Sequence, residues 1–189
     1  GGETVQCVLA QRPWDAAQPA RALAPLLSRL TRAFEGERHR LLLLPQADPV
    51  AATGAAPPEA AALASLGQLA REHRCWIAAS ATLAAAGGAA RTLGFLIDAD
   101  GEARLRVPKV TPDLADGFAA AGASLGAPRR FEAASTPFGM VGLLPGEDLL
   151  MPGLVRPTVY AGTELLVAPF AAAPPGTAAA TAELPASIG

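Results

Sequence analysis

The chain of 189 residues carries 15 basic and 17 acidic side chains for a net charge of −2, and it is 51% hydrophobic but only 5% aromatic. That length suffices for one domain with a sizeable core, built on Leu, Val and Ala packing rather than on aromatic anchors. With no basic face or tail, and no apolar run of membrane-spanning length, the sequence argues against nucleic acid and membrane as partners.

Residues 4–10 (TVQCVLA) are β-branched and apolar and end ahead of Pro13, which predicts a strand. Between 19 and 34, Leu23, Leu26, Leu27 and Leu30 recur at i, i+3, i+4 and i+7, the stripe of a helix that Pro25 starts or kinks. A polar loop at 35–40 holds His39, and residues 40–45 form the continuous apolar strand that parallel sheets bury on both faces. After a Pro-, Gly- and Ala-containing connection at 47–58, residues 58–74 read as a helix, with Pro58 in its first turn and Leu63, Leu66, Leu69 and Ala70 as its stripe. Strands follow at 75–81 and 91–98, with a Gly-containing loop at 84–90 between them. Asp98-Ala99-Asp100-Gly101 predicts a hairpin turn, and 102–107 its returning strand. Pro108-Lys109 leaves that strand, and a Gly/Ala-rich loop runs over 111–128.

Cys7 and Cys75 match neither a metal spacing nor a disulfide framework. Both read as small hydrophobes within strands, which implies a reducing, cytoplasmic setting. The remaining stretch, 135–170, holds an apolar strand (140–144), a Pro145-Gly146 turn, the acidic pair Glu147-Asp148, a helical run and a strand at 164–168. A strand that ends in a tight turn before a helix puts that turn at the carboxyl edge of a sheet, where α/β proteins build sites. Alternating strands and helices with one hairpin predict an α/β fold with mixed pairing. The apolar segments 5–9, 41–44, 76–79, 95–97, 140–143 and 165–167 are expected in one contiguous sheet system, with helices outside.

Thr136, Pro137, Phe138, Gly139, Gly142, Asp148, Pro152, Arg156, Gly162, Glu164, Leu165 and Pro169 stand in the order and spacing of the nucleophile region of the nitrilase, or carbon–nitrogen hydrolase, superfamily. The chain resembles that family from Val8 to Phe170. The resemblance implies a nitrilase-like αββα sandwich over 3–170, then an Ala/Pro-rich linker or disordered tail at 171–189. Because the family continues past this point, it also implies either a form shortened at its carboxyl terminus or a piece of a longer chain.

Family members hydrolyse C–N bonds with a glutamate base, a lysine that supports the oxyanion and a cysteine nucleophile. The matching positions here are Gln46, Lys109 and Gly146. A glutamine amide does not accept a thiol proton, and glycine offers no nucleophile. The resemblance therefore implies a domain that has lost hydrolase activity and serves ligand binding or assembly. Lys109 and Glu147 would face a small anionic or amide-like ligand, and residues 149–155 would support a homodimer. No cofactor and no metal are implied.

An alternative is an active hydrolase of amide or nitrile C–N bonds in which Glu147 or Asp148 activates water. A third reading is an altered or shortened form of an ordinary enzyme. Relocated chemistry would have to draw on Ser124, Ser135, Thr136, His39 or His73, whose spacing forms no triad.

Overall fold

Each of the six apolar segments is a strand, but they divide between two sheets. The computed structural model describes residues 5–9, 23, 39–47, 58–84, 90–111 and 131–170. One sheet runs in the order β1 (Val5–Leu9), β2 (His39–Ala47), β3 (Trp76–Ala84), β4 (Ala90–Ile97), β5 (Ala103–Pro108). Its first three strands are parallel, and its last two pairings are antiparallel. The second sheet holds β6 (Ala133–Thr136), β7 (Gly139–Leu143) and β8 (Leu165–Val167). The expectation of one contiguous sheet is thus corrected. The 140–143 segment folds back on β6, a strand not foreseen, across the Pro137-Phe138 turn, and takes β8 as its parallel neighbour.

Alternation along the strands explains why two layers form. In β2, Leu42 and Leu44 point to α1 (Glu59–His73) and share a core with Leu66, Leu69, Ile77 and Phe95. Leu23, the one described residue of the helix expected at 19–34, is helical and fully buried in that core. On the opposite face, Leu41, Trp76, Ala78 and Leu96 meet Val141, Leu143 and Val167 of the second sheet. Trp76 meets Phe138 edge-on across this interface, with ring centroids 5.8 Å apart at 80°, a contact worth roughly 0.5–1.5 kcal/mol beyond its area. α2 (Pro152–Tyr160) covers the outer face of the small sheet, where Thr158 is buried against Gly142. The layers are therefore α1, sheet, sheet, α2, an αββα sandwich with mixed sheets. Most of the loops expected at 47–58, 84–90 and 111–128, and the tail at 171–189, lie outside the described residues.

One close contact sets the spacing of α1 over the β4–β5 turn. A Cβ at Gly67 would lie 2.6 Å from the Gly101 carbonyl oxygen, backbone against backbone. Such overpacking costs roughly 1–3 kcal/mol, while alanine regains at most about 1 kcal/mol of helix propensity. Gly67→Ala is therefore expected to lose about 1 kcal/mol net in urea denaturation.

The cysteines part company. Cys7 is exposed on the edge strand β1, against its reading as a core residue: its register partner Leu41 joins the core between the sheets, and Cys7, one strand further out, does not. Cys75 is buried just ahead of β3. Burial pushes its thiol up to about 11, with Arg40 pulling weakly the other way. The folded thiol thus keeps its proton above the ordinary 9.0, so its contribution is fully present below pH 9 and is lost as pH rises through about 11. Across that window the chain should lose roughly 2–3 kcal/mol that Cys75→Ala does not. Denaturation curves at pH 8 and above pH 11 check this. In the native chain, exposed Cys7 should react with a thiol reagent before Cys75, although desolvation holds its thiol above the ordinary 9.0 and slows it.

Candidate functional site

Gln46 reaches the site because of a bulge. Leu42 and Leu44 face α1, and plain alternation would send residue 46 the same way. Instead Leu43 pairs with Ala78 and Gln46 with Ser80, so β2 advances three residues while β3 advances two. An extra residue in one strand re-aims the side chains beyond it, and Pro45, with no N–H to give the ladder, is tolerated at such a place. Past the bulge Ala47 joins the α1 core, and Gln46 turns toward the second sheet.

Lys109 is placed by the contacts on either side of it. Its N–H donates to the Thr92 carbonyl at 2.9 Å, continuing the pairing with β4. The two residues after it are clamped by Asp148, which is completely buried. That carboxylate accepts hydrogen bonds from the Val110 N–H at 3.1 and 3.0 Å, and from the Thr111 N–H and hydroxyl at 2.8 Å each. These bonds turn Asp148 to the strand-end segment, and Arg156 is exposed.

The turn after β7 supplies the third position. Leu144 N–H donates to the Val167 carbonyl at 3.0 Å and Gly146 N–H to the Pro169 carbonyl at 2.8 Å. Ser80 holds the same Pro169 carbonyl with its hydroxyl at 3.2 Å. Gly94 on β4 makes room for this turn, since a Cβ there would come within 2.8 Å of Pro145 Cγ. Gly146 has φ +53, in the left-handed region that glycine adopts freely. The helical run expected next is a 3-10 helix (Gly146–Leu150), and α2 starts only at Pro152. So short a 3-10 segment has little dipole and offers no helix-start attraction for an anion.

The three positions are neighbours. A Cβ on Gly146 would lie 3.2 Å from Lys109 Cε, 3.5 Å from Lys109 Nζ and 3.5 Å from Gln46 Oε1. Gln46 is 6% exposed, and its Oε1 is buried with no hydrogen-bond partner among the described residues. The Lys109 ammonium is paired: its Nζ lies 2.5 Å from Glu147 Oε2, with side-chain exposures of 3% and 15%. The cluster thus offers a paired ammonium, an unpartnered acceptor and no nucleophile.

Elsewhere, Ser135 is exposed on β6, and Thr136 bonds within its own hairpin, donating to the Gly139 carbonyl at 2.7 Å. His39 opens β2 at the end away from Gln46, and His73 closes α1. Ser124 lies outside the described residues. Among the described residues, no group of three or more His, Cys, Asp or Glu is placed to hold a metal ion, and no helix is long and apolar enough to cross a membrane. Sequence reasoning missed the clamp by Asp148, the anchor at Ser80 and the space left by Gly94. Only the acidic pair Glu147-Asp148 after an apolar strand hinted at the first.

No family model and no curated protein sequence matches this chain. Solved structures match its shape. A carbon–nitrogen hydrolase from Helicobacter pylori G27 is 18% identical, with a TM-score of 0.65, over 88% of this chain and 59% of that one. A cysteine-to-serine mutant of the Nesterenkonia AN1 amidase from the nitrilase superfamily is 24% identical, with a TM-score of 0.64, over 87% of this chain and 64% of that one. A double mutant of the Nesterenkonia sp. AN1 amidase, glutamate to glutamine and cysteine to alanine, in complex with acrylamide, is 24% identical, with a TM-score of 0.64, over 89% and 66%. The chain has the fold of these carbon–nitrogen hydrolases. It spans less than two thirds of their length.

Proposed function

We propose that this chain is a carbon–nitrogen hydrolase-like domain that has lost thiol-dependent hydrolysis and binds a small amide-like ligand between Gln46, Lys109 and Gly146. The observation that carries this reading is the missing side chain at Gly146, whose place is bordered by the Lys109 ammonium and by the unpartnered Gln46 Oε1. A covalent intermediate needs a nucleophile there, and a general base beside it. The remaining groups suit recognition: Oε1 accepts an amide N–H, and the ammonium donates to the amide oxygen. The double-mutant amidase, with a glutamine and an alanine in place of glutamate and cysteine, was solved with acrylamide, which supports a site of this kind holding an amide.

Calorimetric titration with acetamide and acrylamide tests the proposal, alongside assays of amide, nitrile and carbamoyl substrates. Saturable binding without ammonia release, weakened in Gln46→Leu, is the expected result. Turnover by the parent chain that vanishes in Lys109→Ala would overturn it in favour of a water-activating hydrolase. That rival rests on Glu147, because the Asp148 oxygens are taken by Val110 and Thr111.

Assembly is a second reading, favoured by the apolar side chains around α2. Leu150, Met151 and Val159 are exposed, as is Tyr160 at 86%, and apolar patches of this sort mark interfaces. A homodimer through this face is proposed, and sedimentation of the parent chain beside Tyr160→Lys checks it. A dimer that persists unchanged in the variant would count against this surface.

A further inference from the structure

A lysine whose side chain is 3% exposed needs an anion, because burying an unpaired charge is costly. The residue that would supply one from the end of β2 is here the neutral Gln46. The anion comes from the other side of the site, from Glu147, one residue past Gly146, with Nζ and Oε2 2.5 Å apart. Both partners are carried by braced segments: Lys109 sits between its bond to Thr92 and the 110–111 clamp, and Glu147 lies between Gly146, held by Pro169, and the buried Asp148. Gln46, Lys109 and Glu147 together carry no net charge.

We infer that Glu147 is a built-in counter-anion that neutralises Lys109 and makes the site select uncharged ligands over carboxylates and phosphates, an inference that rests on the ligand-binding reading above. An incoming carboxylate has two options. It can lie beside Glu147 as a like charge in a poorly hydrated place, which is repulsive. Or it can displace Glu147, exchanging one carboxylate for another on the same ammonium. A tethered group acts at a high effective concentration, and a free ion must also give up its translational freedom. An uncharged amide meets neither obstacle, and it alone brings the N–H donor that Gln46 Oε1 lacks.

Acetate and acetamide, nearly identical in shape, separate the cases. Both, with inorganic phosphate, are titrated into the parent chain, Glu147→Gln and Glu147→Ala, each variant checked by circular dichroism. The parent is expected to prefer acetamide to acetate by roughly tenfold or more. Either replacement should strengthen acetate binding by roughly tenfold relative to acetamide, and adding Lys109→Met should remove the gain. Equal binding of acetate and acetamide by the parent overturns the inference, and that comparison decides the point even if a variant does not fold. So does the absence of an acetate gain in both folded variants. If the parent binds no acetamide but Glu147→Gln gains acetate, the amide-ligand reading falls while the counter-anion stands. If acetamide binds and the acetate gain is absent, the reverse holds.

Discussion

Replacing Asp148 with alanine is expected to destabilise the chain by roughly 3–4 kcal/mol, among the largest losses available to a single polar side chain. The carboxylate is fully buried, and the substitution strands three donors at once: the N–H groups of Val110 and Thr111 and the Thr111 hydroxyl. Each buried donor left without a partner costs roughly 1–3 kcal/mol, and the part-buried setting of this segment holds the total below a simple sum. Asp148→Asn keeps one good acceptor oxygen and should lose about half as much. Urea denaturation of both variants checks the order. Because these bonds hold the residues after Lys109, Asp148→Asn should also weaken acetamide binding without touching the ligand. Wild-type stability in Asp148→Ala would mean that the 109–111 segment is held by something else.

Putting cysteine at Gly146 and glutamate at Gln46 together is expected to produce amide hydrolysis at a rate that neither substitution reaches alone. A cysteine at 146 must adopt φ +53, a left-handed conformation that costs an L-residue roughly 1–2 kcal/mol. Its Cβ would sit 3.2 Å from Lys109 Cε, which the flexible lysine end can relieve. The thiol of Gly146→Cys would have an ammonium nearby but no base, since Gln46 accepts no proton. A glutamate at 46 would carry its carboxylate where Oε1 now lies, 3.5 Å from the new Cβ position. A general base contributes roughly 10²–10⁴ in rate, so the double variant should exceed Gly146→Cys by about a hundredfold in ammonia release from acetamide. The excess should be strongly non-additive, as for groups that act as one unit. Equal rates in the single and double variants would show that position 46 is not aligned to serve position 146.

How much of this was legible beforehand depends on whether the signal was local. Strand β2 followed from the apolar run at 41–44, α1 from Leu63, Leu66 and Leu69, and the β4–β5 hairpin from Asp98-Ala99-Asp100-Gly101. In that turn the Asp98 carboxylate accepts the Asp100 and Glu102 N–H groups at 3.0 and 2.8 Å. Hydrophobic period and turn chemistry act between near neighbours, so a one-dimensional pattern carries them. The absence of a nucleophile at Gly146 and of a base at Gln46 is likewise a property of the sequence alone, because no packing gives glycine a side chain.

Tertiary structure decided the rest. Leu41 and Leu42 are equally apolar, and which of them faces α1 or the second sheet depends on partners far along the chain. The split into two sheets arose because β7 paired with β6 and β8, a choice among competing long-range pairings that apolar content does not rank. Gln46 enters the site only because one extra residue near Pro45 reverses the alternation of β2, a register property of two strands together. Glu147 and Lys109 lie 38 positions apart in the sequence, and their pairing requires both the Asp148 clamp and the space that Gly94 leaves for the turn. Local chemistry wrote the elements and the missing groups; contacts between distant segments set which side chains meet and what charge the site presents.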